Sequence, residues 1–378
     1  MRVLNTTAFL DPITGGGNVE RTIQLSRALD DRQIDCQILT MSLGFSDAFL
    51  LRLKGLKIIA YPCLLKRLYI PLVSFSSIRK AVREVDIIHM MGHWSVLNTL
   101  IFFAARLEAK PYVVCPAGAL PIYGRSRFLK RFYNWSIGRR IIQKAHAWIA
   151  ITPEECIQFE SYGVATDQVT VIPNGINPAD FLHLDASNYT NQFGLGFDPY
   201  ILFLGRLNLI KGPDLLLEAF NQGHTKWPQW HLVFAGPDGG LLAELKQKVM
   251  AYQLGDRVHF VGYLEGAEKT AAYKSAKLLA IPSRHEAMSI VVLEAGICGT
   301  PVLLTDQCGF DDVQKVGGGI VTPASEAGIE IGLDQMLSGK VDLEMQGRQL
   351  QEYVKKRYTW AEVIKQYLEL YNRLLTKE

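Results

Sequence analysis

Short apolar runs of strand length alternate with amphipathic stretches of helix length from one end of the chain to the other. That order predicts parallel sheets covered by helices on both faces, because a parallel strand pair needs a long crossover and a helix is its usual form. In the first half the pattern predicts strands at 3–9, 36–41, 58–61, 87–90, 112–115, 148–152 and 169–172, with helices at 19–30, 76–85 and 128–145 among the connections. It restarts in the second half, with strands at 200–204, 232–235, 258–261, 278–282, 301–305 and 320–322. Between the halves, 177–199 is rich in Asn, Asp, Gly and Pro and lacks periodicity, which reads as a connection between domains. The last segment, 360–375, places Val363, Ile364, Tyr367, Leu368, Tyr371 and Leu375 on roughly one helical face and predicts a helix that packs.

The chain has 378 residues, 48% hydrophobic and 20% charged, enough for two or three domains with their own cores and unlike a disordered or collagen-like composition. Six cysteines without a CxxC pair argue against a zinc ribbon or a disulfide scaffold and predict a reducing cytoplasm. No secretion signal is read at the N-terminus. The most apolar stretch, 96–105, is shorter than the ~18 residues of a spanning helix and is stopped by Arg106 and Glu108, so no membrane crossing is expected. Net charge is +3, but up to Asp185 there are 21 Lys and Arg against 15 Asp and Glu, and beyond it 19 against 22, giving +6 and −3. The excess suggests that the first half meets something anionic, a membrane surface or a phosphorylated acceptor, and is too small to point to nucleic acid.

Three groups of residues carry candidate chemistry. Gly15, Gly16 and Gly17 follow the first strand and open a helix, where backbone amides can approach an anion or an acceptor. A dinucleotide fingerprint would need glycine at position 20, which is Glu20, and no Gly-Lys-Ser/Thr of a P-loop is present. In the second half Gly205 and Arg206 end a strand and Lys211-Gly212-Pro213 precedes a helix. Two cations are thereby offered at the carboxyl edge of a parallel sheet, a combination suited to a diphosphate. Glu286 and Glu294, with seven residues between them, follow the strand at 278–282; eight helical steps of ~100° leave them within about 80° of each other, and each carboxylate can accept hydrogen bonds from a vicinal diol.

Gly205-Arg206 with Lys211-Gly212, the run from Glu286 to Glu294, and Val171-Ile172-Pro173-Asn174-Gly175-Ile176 together resemble the family 4 retaining glycosyltransferases, over nearly the whole chain. The resemblance implies an α/β chain of the GT-B fold, two Rossmann-like doubly wound domains facing a cleft. They would be an acceptor domain at 1–176 that takes back a C-terminal helix at 358–378, and a nucleotide-sugar donor domain at 177–357. It implies that Arg206 and Lys211 bind the donor diphosphate, Glu294 the ribose and Glu286 the transferred sugar, with Gly205 and the amides of Met288, Ser289 and Ile290 near the phosphates. Glu286, Arg206 and Lys211 would be the catalytic group. Gly15, Gly16, Gly17, His89 and His93 would lie on the acceptor side. No bound metal or cofactor is expected beyond the nucleotide-sugar as co-substrate.

Two departures stand out. Family members commonly have Gly-Phe-Gly after the first glutamate, where this chain has Ala287-Met288-Ser289, and many carry a histidine where this chain reads Cys115-Pro116-Ala117-Gly118-Ala119. The alternative is therefore a regulatory protein of the same fold that binds a nucleotide-sugar with weakened catalysis. A dinucleotide-dependent oxidoreductase is disfavoured by the incomplete glycine fingerprint. Finally, from Arg125 to Lys144 cations are interleaved with Phe128, Leu129, Phe132 and Trp135. This fits either a helix lying on an anionic leaflet, peripheral on the inner face of a membrane, or an amphipathic helix with its aromatics in the core.

Overall fold

The computed structural model of the protein describes residues 1–11, 17–65, 69–122, 126–182 and 198–376. They form two compact units, Met1–Gly175 with Trp360–Glu378, and Ile176–Thr359. These bounds differ by one or two residues from those read in the sequence. Gly15 and Gly16, and most of the connection at 177–199, lie outside the described residues; Gly17 is the first residue of a helix and is exposed.

The first unit contains β1 (Arg2–Phe9), α1 (Gly17–Asp30), β2 (Asp35–Met41), α2 (Asp47–Arg52) and β3 (Lys57–Tyr61), then a small hairpin of β4 (Cys63–Leu65) and β5 (Ile70–Pro71). It continues through α3 (Phe75–Arg83), β6 (Ile87–Met91), α4 (Val96–Leu107), β7 (Tyr112–Cys115), α5 (Arg127–Tyr133), α6 (Arg139–Gln143), β8 (Ala147–Ala150), α7 (Pro153–Glu160) and β9 (Val169–Val171). Its seven strands lie in the order β3-β2-β1-β6-β7-β8-β9, every pair parallel. β6 and β7 are buried at every residue, which is why such strands read as continuous apolar runs rather than as alternation.

The second unit runs β10 (Tyr200–Leu204), α8 (Pro213–Gly223), β11 (His231–Ala235), α9 (Leu242–Ala251), β12 (Val258–Gly262), α10 (Gly266–Ser275), β13 (Leu278–Ile281), α11 (Ile290–Cys298), β14 (Val302–Thr305), α12 (Asp312–Lys315), β15 (Gly319–Thr322), α13 (Glu326–Leu337) and α14 (Leu343–Arg357). Its sheet, β12-β11-β10-β13-β14-β15, is again all parallel. In both sheets the order reverses beside the first strand, so a crevice opens at the carboxyl ends of β1 and β6 and of β10 and β13, the place where ligands bind in open α/β sheets.

The last helix, α15 (Trp360–Leu375), belongs to the first unit. It buries Trp360, Val363, Ile364, Tyr367, Leu370 and Tyr371, while Leu368 and Leu375 of the predicted face are only half-buried. Its tyrosines meet a buried cation. Arg21 of α1 donates to the Tyr367 hydroxyl, to Asn174 Oδ1 and, at 3.0 Å, to the Ile172 carbonyl. His89 of β6 stands beside them, its Nδ1 2.6 Å from the Tyr371 hydroxyl.

The helix expected at 128–145 is interrupted. Asn134–Gly138 forms a π-helical turn between α5 and α6. Gly138 allows it, since a Cβ there would stand 2.5 Å from Asn134 Oδ1 and 2.7 Å from the Tyr133 ring. The Asn134 side chain turns inward, within 2.8 Å of His93 Nε2 and donating to the Tyr162 hydroxyl at 2.7 Å. Helical periodicity in the sequence has no means of showing this insertion, because the groups that meet the Asn134 side chain, His93 and Tyr162, are remote in sequence.

Candidate functional site

The site is built on the two loops that flank the strand reversal of the second unit. β10 runs out into Gly205, Arg206 and the loop to Lys211. That loop is fastened by Leu207, whose amide donates to Pro237 O at 3.0 Å, and by Asn208, whose side chain accepts from the Lys211 amide at 3.0 Å. Gly212 sits at φ +69°, and a Cβ there would lie 2.0 Å from the Pro282 carbonyl, so only glycine lets the loop press on the end of β13. Arg284, just past β13, grips Asp214 with two guanidinium nitrogens and donates to Leu209 O at 2.6 Å. Such a bidentate pair is stronger and more directional than a single ion pair, and it ties the loop carrying Lys211 to the loop carrying Glu286.

Between those loops Lys211 Nζ stands 2.8 Å from Glu286 Oε1, and the same carboxylate accepts from the Ser283 hydroxyl. An ammonium has three donors, so two remain for a ligand. Arg206 is half-buried, with its stem against Gly239. Glu294, on the second turn of α11, is nearly buried; its oxygens accept from Lys269 Nζ at 2.8 Å and from the Tyr273 hydroxyl at 2.7 Å, both on α10. Burial, and then the neighbouring carboxylate, push the Tyr273 phenol well above its ordinary range, so it stays a donor. Lys269, Tyr273, Arg284 and Asp214 were not singled out in the sequence. A lysine nine residues before a strand carries no local signal, and only the packing of α10 on α11 brings it to Glu294.

The departure Ala287-Met288-Ser289 leaves a mark. Gly309, at φ +61°, backs this loop so closely that a Cβ would lie 2.0 Å from Ala287 O. The Ser289 amide is already donated to Cys308 O at 3.1 Å, and Met288 is buried. The Ser289 hydroxyl is fully buried, does not cap its own helix α11, which starts at Ile290, and meets no hydrogen-bonding partner among the described residues. A buried hydroxyl left unpaired costs about 1–3 kcal/mol, which a ligand oxygen at that helix N-terminus would relieve.

In the first unit the structure places both candidate histidines inside the fold. Burial, with the Arg21 charge added, pushes His89 down to about 3, and its Nε2 has no partner among the described residues. Burial likewise takes His93 down to about 4, against its hydrogen bond to Asn134. Both are neutral at physiological pH. In the loop where a histidine is absent, Ala117 and Gly118 have φ of +50° and +81°, and the buried Glu155 accepts from the amides of Gly118 and Ile151. Burial raises the Glu155 carboxyl above its usual range. Glu155 is a further residue the sequence reading passed over. Among the described residues no three His, Cys, Asp or Glu side chains are grouped to hold a metal ion, and no helix is long and apolar enough to cross a membrane.

Two all-parallel doubly wound sheets, with cations and carboxylates gathered at the carboxyl edge of the second, define a Rossmann-like chain of the nucleotide-binding type. Its relatives narrow this. Residues 15–180 match the model described as Glycosyltransferase Family 4, and 189–357 match Glycosyl transferases group 1; the chain belongs to the family 4 glycosyltransferases. It is 34% identical over 222 residues to an uncharacterised glycosyltransferase of Methanocaldococcus jannaschii, covering 56% of this chain and 55% of that protein. It is 25% identical over 305 residues to the GDP-mannose:cellobiosyl-diphosphopolyprenol alpha-mannosyltransferase of Xanthomonas campestris, covering 79% and 77%. The chain spans about half the length of most of the curated relatives it matches. In fold it is similar to Anabaena HepE, solved in complex with UDP and glucose, with a TM-score of 0.81, 19% identity and coverage of 99% and 100%. The fold is that of the GT-B glycosyltransferases.

Proposed function

We propose that the protein is a retaining glycosyltransferase. It moves a hexosyl group from a nucleotide-sugar to a saccharide or lipid-linked acceptor, in assembly of a surface polysaccharide or glycolipid. The observation that carries this reading is the joining of Lys211 to Glu286 across the strand reversal, with the unspent Ser289 hydroxyl at the adjoining helix N-terminus. Arg206 and Lys211 hold the diphosphate, Glu294 the ribose and Glu286 the sugar. As the glycosidic bond breaks, negative charge grows on the departing phosphate, and fixed cations act more strongly on it than on the ground state. Retention follows from the resemblance of the Glu286 to Glu294 run to the retaining family. The lipid-linked acceptor draws support from the Xanthomonas relative, whose name specifies a diphosphopolyprenol acceptor.

The reaction proceeds without a bound divalent metal, because Arg206 and Lys211 supply the positive charge at the leaving group. Turnover is expected to survive excess chelator; its strict loss would refute this point. The place of work is the cytoplasm, peripherally on the inner face of a membrane. Six unpaired cysteines support a reducing compartment.

The test is a thermal-shift panel of nucleotide diphosphates and their sugars on wild type and Glu294→Gln. A ligand at ~100 times its dissociation constant adds about 2.7 kcal/mol, or about 5–10 °C for a unit of this size. One nucleotide-sugar is expected to produce that shift and Glu294→Gln to abolish it, with product NMR then showing the donor's anomeric configuration. No shift with any of them would remove the donor site, and a shift without transfer would leave a binding protein.

A further inference from the structure

The cleft beside the π-helical turn of the first unit belongs to no part of the donor site. It has a volume of about 390 Å³ and is lined by Leu120, Ile122, Arg131, Trp135, Arg139 and Tyr162, among others. We propose that it binds the phosphate head of one anionic membrane lipid, while the apolar side chains along its rim sit in the bilayer interface. This deepens the peripheral-membrane part of the proposed function and names the surface responsible.

The first observation is charge. Residues 109–153 contain eight Lys and Arg (Lys110, Arg125, Arg127, Lys130, Arg131, Arg139, Arg140, Lys144) and no Asp or Glu. So one-sided a stretch of 45 residues in a chain of net charge +3 matches an anionic surface. The second is exposure. α5 buries none of its residues, and Phe128, Leu129, Phe132 and Trp135 are 79%, 50%, 56% and 80% exposed. Of the two alternatives the sequence left open for this segment, the described fold takes only Tyr133 toward the core and leaves Phe128, Phe132 and Trp135 outside. Four large apolar side chains interleaved with cations have the composition of an interfacial helix, with aromatic bodies for the acyl boundary and charged heads for the phosphates.

The third observation is how the cleft is made. Because the π turn draws Asn134 inward to His93 and Tyr162, its neighbour Trp135 is left on the outside, and Phe132 and Trp135 lie with ring centroids 5.8 Å apart. The polar groups of the floor are satisfied internally. The Tyr162 hydroxyl accepts from Asn134 and donates to Leu120 O at 2.9 Å. Arg139 donates to Ser161 O with its guanidinium near the Tyr162 ring, and the Arg131 side chain makes no hydrogen bond or ion pair among the described residues. Two guanidinium groups in an otherwise largely apolar pocket suit a phosphate ester carrying a hydrocarbon body, since guanidinium forks match phosphate oxygens.

The experiment uses the full chain and titration calorimetry with dihexanoyl phosphatidic acid below its micellar concentration. Wild type is expected to bind one molecule per chain. Arg131→Gln with Arg139→Gln should weaken this about 30-fold, from about five- to sixfold per cation, and Arg131→Lys with Arg139→Lys should keep most of it. Phe128→Ser with Phe132→Ser should leave that affinity intact but lower co-sedimentation with phosphatidylcholine vesicles containing phosphatidylglycerol. Equal affinity for inorganic phosphate would make the cleft a free-anion site. Equal affinity for dihexanoyl phosphatidylcholine would remove the role of charge, and unchanged binding by the glutamine variant would remove the two arginines; each result overturns the proposal. If wild type is stabilised by a nucleotide-sugar yet binds no phosphatidic acid, this inference fails and the glycosyltransferase reading stands.

Discussion

Lys211→Ala is expected to lower kcat about a hundredfold to a thousandfold while changing the KM for donor far less. Losing one fixed charge partner of a developing anion carries a cost of that size, and it falls on the transition state because the charge on the leaving phosphate is greatest there. Lys211 is suited to this. Its loop is fastened by Asn208, Gly212 and the Arg284–Asp214 pair, so the ammonium is already in place and little reorganisation accompanies the reaction. Since alanine also strips Glu286 of its 2.8 Å partner, Asp214→Asn provides the companion measurement. It loosens the loop without removing the cation, and should cost about tenfold or less. Steady-state kinetics of both variants decide the matter: an unchanged kcat in Lys211→Ala would take the lysine out of the chemistry.

Arg21→Ala is expected to destabilise the first unit by about 3 kcal/mol or more, lowering its melting temperature by about 6–12 °C in scanning calorimetry. The reason is what the guanidinium leaves behind. Asn174 Oδ1, the Ile172 carbonyl and the Tyr367 hydroxyl are buried groups that lose their donor together. Arg21 is itself only 2% exposed, and its Nε has no partner among the described residues, so part of the cost of burying it is uncompensated. Arg21→Met, which fills the volume and removes the buried charge, should therefore be milder than Arg21→Ala. Equal melting temperatures for wild type and Arg21→Ala would show that the cation does not tie α1 to α15.

Most strands were legible because both sheets are parallel and covered on both faces, so their sequences are apolar at nearly every position and stand out between polar turns. The hairpin β4–β5 was not, since its two pieces span only Cys63–Leu65 and Ile70–Pro71, with Leu64 and Leu65 exposed, and nothing in so short a run separates it from a loop. Within α15 the predicted face was nearly right. Leu370 replaced Leu368 as a buried residue because the helix rests on Arg21 and His89 through Tyr367 and Tyr371, which sets its rotation.

By itself the sequence determined the two-unit α/β architecture, and through Gly205-Arg206, Lys211-Gly212 and the Glu286 to Glu294 spacing it pointed to the second unit's strand ends as the candidate site. Those are local properties: an apolar run, a loop glycine and an eight-residue interval are each readable within a few turns of chain. Only the tertiary structure decided that Lys269 and Tyr273 hold Glu294, that Arg284 clamps the Lys211 loop through Asp214, and that His89 and His93 are neutral and enclosed. It alone left Phe128, Phe132 and Trp135 outward, beside a π turn that Gly138 permits and whose Asn134 side chain turns inward to His93 and Tyr162. Each of these depends on groups from 21 to 70 residues apart, or on the burial that their packing creates, and side-chain pattern along a chain carries no record of which distant surface it will meet.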